Sequence, residues 1–339
     1  MKIDTQLTGF VTAAEDARRL EDLGLDGAFT FEGPHDVFTP LIMAAGATTT
    51  LQLISNVAIA FPRNPVQLAH QAYDLQLLSK GRFTLGLGTQ VRAQIEKRYG
   101  AEFERPVARM REKVAALRAI LGSWETGARL EFRGEFSTHT LMPPTFNPGP
   151  NPYGPPAIAI GGLGPQMVGL AAEVADGLLV MPFNTAAHFR GRTLPAIERG
   201  LERAERDRSA LEVTAEVIVC CGRSEAEMEA ARTGVRWLLA FYASTPAYRP
   251  VLEVEGWEAV QPELNGLSKA GRWDEMPARI DDLMLSQLAA VGSPTEVAAT
   301  IVDRFGGLVD RVAFYTPYRV SDGTIAEIVG ALRSRSDPG

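Results

Sequence analysis

Short apolar runs alternate along the chain with longer stretches in which apolar residues recur at helical spacing. Lys2 to Gln6 predicts a first strand, Ala13 to Leu23 a helix closed by Gly24, and Gly27 to Phe31 a second strand. A helix from Pro40 follows, then a strand from Leu53 to Phe61 and a helix from Pro65 that sets Leu68, Ala72 and Leu75 on one face. Phe83 to Leu87 reads as a fourth strand. The helix after Pro106 carries Met110, Val114, Leu117 and Leu121 on a face that needs an apolar surface to cover it. Ala157 to Ile160, Gly177 to Met181, Val213 to Val219 and Arg311 to Tyr315 supply the remaining strands of eight strand–helix units. Eight such repeats fit a closed parallel barrel better than an open sheet, because each apolar strand needs cover on both faces. The predicted fold is therefore α/β, a TIM (β/α)8 barrel spanning residues 1–339 as one domain. Two segments break the rhythm, about 127–156, rich in Pro and Gly, and about 242–290, long and aromatic. Such excess belongs at the C-terminal rim of a barrel, where pockets and lids are built.

Composition narrows the partners. The chain has 339 residues, 45% hydrophobic and 22% charged, the balance of an ordinary soluble globular protein with a sizeable core. A net charge of −7 argues against nucleic acid as a partner. The N-terminus enters structure without an apolar signal core, and no apolar run reaches the ~20 residues needed to span a bilayer, so neither membrane nor export is expected and the protein reads as cytoplasmic. Cys220 and Cys221 are adjacent in a strand and point to opposite faces, which disfavours a disulfide. The histidines show no metal-ligand spacing, so no metal is expected.

Candidate chemistry concentrates after the strands. Gly161-Gly162-Leu163-Gly164-Pro165-Gln166 lies between a strand and a helix, where bare backbone and the positive end of a helix dipole suit a phosphate. An ordinary Gly-rich turn has the same local sequence; position in the second half of the barrel favours the phosphate cup. Arg63 follows the third strand and reads either as a solvated loop charge or as a cation near the rim. Gly86 and Gly88 punctuate the fourth strand, through tight wall packing or to admit a flat ring. Glu32 and His35 follow the second strand, where proton donors and acceptors of barrel enzymes sit, although a loop His is also common scaffolding.

The run Ser79-Lys80-Gly81-Arg82-Phe83-Thr84-Leu85-Gly86-Leu87-Gly88 resembles a signature of luciferase-like flavin-dependent oxidoreductases. Gly164-Pro165-Gln166-Met167 with Glu173-Val174-Ala175-Asp176-Gly177 resembles their phosphate segment, and the run Phe241 to Leu252 is similar to a subgroup dependent on the deazaflavin coenzyme F420. The likeness covers nearly the whole chain. It implies a barrel with an extended insertion and a cis peptide at Asn56–Val57 behind the cofactor ring. By the same resemblance Ser55, Asn56 and Val57 support the ring, Thr89 and Gln94 line its edge, and Gly161 to Gln166 hold the phosphate, with Met181 nearby.

Three departures matter. Gln166 stands where the subgroup has a Lys, which removes a charge from the cup and leaves binding to backbone amides or to another cation such as Arg63. Met181 stands where a His is expected, removing one possible proton donor, and Leu53-Ile54-Ser55 replaces a Leu-Gly-Thr pattern. The resemblance implies hydride transfer between reduced F420 and a small organic substrate with a C=N, C=C or C=O bond, with His35 or Glu32 supplying the proton. Tyr242, Tyr248 and Trp257 then cover the substrate side, whereas Phe241 is expected to serve as core packing. An FMN-dependent monooxygenase is the alternative, and a barrel without a redox cofactor a second one. Family likeness also implies a homodimer.

Overall fold

A computed structural model describes residues 1–336. Eight parallel strands close into a barrel: β1 (Lys2–Gln6), β2 (Gly27–Thr30), β3 (Gln52–Ser55), β4 (Phe83–Gly88), β5 (Ala157–Gly162), β6 (Gly177–Val180), β7 (Glu212–Cys221) and β8 (Arg311–Tyr315). Closure comes from β7, which pairs with β6 on one edge and β8 on the other, while β8 pairs with β1. Most strand residues are buried because helices cover the outer faces and side chains fill the inside. Phe29, Ile54, Ala159, Leu179 and Ala313 form that inner filling.

Below this layer the barrel is closed by an ion pair. Arg311 and Asp4 are both fully buried, with Nε to Oδ2 at 2.8 Å, and the Arg311 guanidinium also donates to Gln52 Oε1 at 2.8 Å. Gly27 makes the space, since a Cβ there would lie 2.5 Å from Asp4 Oδ1. Fork-to-fork pairing and the added glutamine satisfy the charges that burial would otherwise penalise.

The signature arginine is also structural. Arg82 donates to the Thr48 hydroxyl (3.0 Å) and carbonyl (2.9 Å) and to the Leu51 carbonyl, tying the helix Thr39–Ala47 to the start of β3.

Two elements differ from the sequence expectation. The third strand does not run unbroken to Phe61; it stops at Ser55 and resumes as Ala58–Ile59. The long aromatic segment begins inside the last turn of the helix Glu225–Ala243, continues through helices Arg249–Val254, Val260–Lys269 and Asp282–Leu288, and ends in a strand, Ala289–Gly292, paired with the far half of β7. It has its own core, into which β7 sends Ile218 and Cys220, whereas Cys221 points to the main core. Both cysteines are free. The shorter segment carries a small antiparallel hairpin, Phe132–Arg133 with Thr138–His139. Among the described residues no helix is long and apolar enough to cross a membrane, and no cluster of His, Cys, Asp and Glu could hold a metal ion.

Candidate active site at the barrel mouth

At the carboxyl end of β3 the backbone turns sharply. The Asn56–Val57 peptide is cis, and the strand resumes only where Ala58 and Ile59 pair with Leu87 and Gly88. Ser55 is fully buried beneath this turn; its hydroxyl donates to the Gly86 carbonyl (3.0 Å) and accepts from the Gly86 amide (2.9 Å), which locks β3 to β4. Three glycines make room. A Cβ on Gly86 would lie 2.0 Å from the Ser55 carbonyl oxygen, one on Gly88 2.3 Å from a Val57 methyl, and one on Gly161 2.9 Å from the other methyl. The Val57 isopropyl group thus lies across the ends of β4 and β5 as an apolar shelf flanked by bare backbone.

Asn56 turns the other way, and its Nδ2 donates to Glu216 Oε2 at 3.2 Å. Glu216 lies opposite Ala313 in the register of β7 and β8, and such partners share a face of the sheet, so its side chain points to the barrel axis with Ala313. Two residues earlier Thr214 lies opposite Arg311, and two later Ile218 lies opposite Tyr315. Glu216 therefore stands one layer above the ion pair and one below the rim. Burial pushes its carboxyl up to about 8, and the single contact opposing this is the Asn56 amide. Tyr242 and Tyr315 are close enough to feel its charge; burial foremost raises Tyr315 to about 12 and Tyr242 well above its ordinary value. Three neutral acids thus meet at this depth near pH 7. Gln6, opposite Phe29 in the same layer, has a buried Oε1 without a hydrogen-bond partner.

Glu216 escaped the sequence reading because it falls inside an apolar run. A charge on the inward alternation of a strand covered on both faces is the signal that could have found it.

The other rim glutamate is fully engaged. Glu32 Oε2 accepts from the Ile59 amide (2.9 Å) and from Arg63 (2.6 Å), and Oε1 accepts from the Tyr99 hydroxyl (2.9 Å). Arg63 in turn donates to the Ile59 carbonyl (2.9 Å) and lies 3.7 Å from Asp36. His35 is exposed and stacks on Phe10, with centroids 4.3 Å apart. Thr89, half-buried, donates to the Gln90 carbonyl at 3.1 Å, and Gln94 is half-buried on the helix Arg92–Lys97.

After β5 the helix Pro165–Val174 begins without a side-chain cap. The Gly164 carbonyl accepts from the amides of Met167 and Val168, both at 3.1 Å, while Pro165 has no N–H to offer. Gly164, Pro165 and Gln166 are exposed, and a Cβ at Gly164 would meet nothing within 4 Å. Gly162 is buried against Val168. This leaves an uncapped positive helix end open to solvent beside the shelf. The second half of the phosphate-like motif lies at the other end of the barrel: Asp176 accepts from the Ile158 amide (2.8 Å) and pairs with Arg118 (2.9 Å), fixing where β5 starts.

The insertion faces the mouth with half-buried aromatic residues. Tyr242 and Tyr248 form a triangle with the buried Phe183 from the loop after β6, with centroids 5.9, 6.1 and 6.0 Å apart, and Trp257, Met181 and Leu163 pack against the core of the insertion. Phe241 departs from the expected core role: it is 39% exposed and stacked on Trp237, because it occupies the outer side of its helix. Phe31, also exposed, meets Tyr315 edge-on at 5.8 Å.

Known proteins share this construction. An uncharacterised protein of Mycobacterium tuberculosis is 47% identical over 313 residues, covering 92% of each chain. A putative coenzyme F420-dependent oxidoreductase of the same organism is 32% identical, covering 82% of this chain and 83% of its own. Among solved structures, the coenzyme F420-dependent tetrahydromethanopterin reductase of Methanopyrus kandleri superposes with a TM-score of 0.83 at 19% identity, covering 99% of both chains. The luciferase-like monooxygenase family matches residues 4–311, almost the whole barrel, and the chain belongs to that family.

Proposed function

We propose that the protein is an F420-dependent oxidoreductase acting on a small organic substrate with a C=N, C=C or C=O bond. One observation carries the reading: the Val57 shelf, cleared by Gly88 and Gly161, opens beside the uncapped helix start at Gly164–Gln166 in a single barrel mouth. A flat ring and an anionic tail fit that pair of surfaces. The two F420-dependent relatives support the choice of a deazaflavin over FMN.

Bound in its reduced form, the deazaflavin supplies a hydride. The chain's own part is to bind, orient and dry the site. Val57 and the bare backbone of β4 and β5 set the plane of the ring, with Asn56, Thr89 and Gln94 around it. The amides of the Gly161–Gln166 turn and the helix dipole hold the phosphate, with Leu163 and Met181 as its apolar side. Gln166 contributes a neutral amide at most, so binding leans on main chain. Tyr242, Tyr248 and Trp257 form the wall that keeps water from the substrate. Arg63 and Glu32 are assigned to holding the loops after β2 and β3 together, because Glu32 is bonded to Arg63, Tyr99 and the Ile59 amide, and Arg63 to Glu32 and the Ile59 carbonyl beside Asp36. His35, on the outer rim, can meet only the part of a substrate that projects from the mouth.

Titrating the purified protein with F420 and with FMN, each followed by fluorescence and visible spectra, tests this. F420 binding with slow reaction toward dioxygen is expected; tight FMN binding with oxygen uptake would establish the monooxygenase reading instead, and failure to bind either would favour a barrel without a redox cofactor.

A further inference from the structure

Resting on that reading, we propose that Glu216 is the proton donor of this site, giving the proton from Oε1 to the substrate as the adjacent carbon takes up hydride. Of the acidic groups around the mouth it alone combines position, protonation and a free oxygen. Glu32 accepts hydrogen bonds on both oxygens, so neither is free to meet a substrate. His35 is on the exposed rim against Phe10. Tyr242 and Tyr315 face the same space but hold their protons far too tightly.

Glu216 has the complementary arrangement. Asn56 Nδ2 donates to Oε2, which marks that oxygen as the carbonyl oxygen of the acid and leaves Oε1 as the hydroxyl. Among the described residues Oε1 has no hydrogen-bond partner, and the residue keeps partial exposure although its strand is covered on both faces. The groups that neighbour it are Asn56 from the β3 turn, Ala313 from β8, and the phenols of Tyr315 and Tyr242, which feel its charge; none is a cation. Only the Asn56 amide favours the carboxylate, and burial outweighs it, so the acid stays loaded through neutral pH.

The balance is simple. Two electrons and one hydrogen reach the substrate carbon as hydride, the π pair of the C=X bond forms the new X–H bond with the Glu216 proton, and the carboxylate left behind is reprotonated from water. The side chain is a carboxylic acid one layer under the rim, so the substrate's X atom, rather than the cofactor tail, is its partner.

The test joins a measurement that needs no cofactor to one that does. Infrared difference spectra of the protein alone, titrated from about pH 6 to about pH 10, should show a protonated carboxyl band lost with a midpoint near 8, and Glu216→Gln should abolish it. With F420 loaded, Glu216→Gln should bind the coenzyme within about 2-fold of wild type yet oxidise it on the order of 100-fold more slowly against a panel of small imines, enones and ketones. The wild-type rate should fall as the band disappears, and the residual rate of the variant should be flat over the same range. A carboxyl already ionised at the acid end, or a variant that binds F420 and keeps its rate, overturns the assignment of Glu216 alone. Absence of F420 binding by the wild type overturns the functional reading beneath it.

Discussion

On the β2–β3 side of the mouth, Glu32 meets a guanidinium, an amide N–H and a phenol O–H, and on the β7 side Glu216 meets one side-chain amide. The same residue type is thus a structural tie in one place and a stored proton in the other. The difference teaches that the fold fixes the availability of each carboxyl: both oxygens are occupied on one side, while on the other burial raises the acid and one oxygen stays free. It also separates the tasks: on the β2–β3 side both oxygens of Glu32 are bonded, while Glu216 on β7 keeps Oε1 open and Gln6 on β1 a buried Oε1 without a partner.

The comparison breaks most visibly if the paired side loses its anion. Glu32→Ala strands the Arg63 guanidinium, the Tyr99 hydroxyl and the Ile59 amide, and is expected to cost about 3–5 kcal/mol of stability in urea denaturation. A loss below about 1 kcal/mol would mean that solvent replaces the carboxylate and that the network has little structural weight.

A second, smaller effect is a pH dependence with a definite sign. The Glu216 carboxyl is raised from 4.5 unfolded to about 8 folded, so the native state holds its proton more tightly. Its contribution to stability is complete below about pH 4.5 and is lost as pH rises through about 8. Relative to Glu216→Gln, the wild type should lose about 2–4 kcal/mol between pH 5 and pH 9, less than full conversion of the shift because water in the mouth screens the charge. Measuring both proteins across the range cancels all other titrations; parallel curves would refute a protonated Glu216.

Smallest is the shelf. Gly88→Ala places a methyl into Val57 and should lower stability by about 1–3 kcal/mol and weaken binding of a flat ring, and Val57→Ala in the same chain should restore most of the loss. Thermal unfolding of the two single variants and the double variant reads this directly; additive losses would show that the contact is not the cause.

Much of the barrel was legible in the chain because strand and helix patterns are local. β1 and β8 coincide with the predicted strands Lys2 to Gln6 and Arg311 to Tyr315, and the glycine cluster at Gly161–Gly164 ends a strand and opens a helix as its sequence implies. The failures are equally physical. The run from Leu53 to Phe61 reads as one strand because it is apolar on both sides of Ser55 and Asn56, but the backbone turns at Asn56–Val57 in space cleared by glycines of β4 and β5. The strand Ala289–Gly292 is too short to stand out and exists through pairing with β7. Arg82 and Asp176 belong to motifs that look like cofactor chemistry, yet their partners are scaffold groups: the Thr48 hydroxyl and backbone carbonyls for Arg82, the Ile158 amide and Arg118 for Asp176.

By itself the sequence determined the alternation of eight buried strands with covering helices, the places where backbone must be bare, and the absence of a Lys at position 166. These follow from interactions along the chain and from side-chain volume. Only the tertiary structure decided which carboxylate is paired and which is not, because Asn56 and Glu216 are 160 residues apart and become neighbours when the barrel closes. Proton affinity depends on what lies across a few ångströms of space, and folding alone chooses those neighbours.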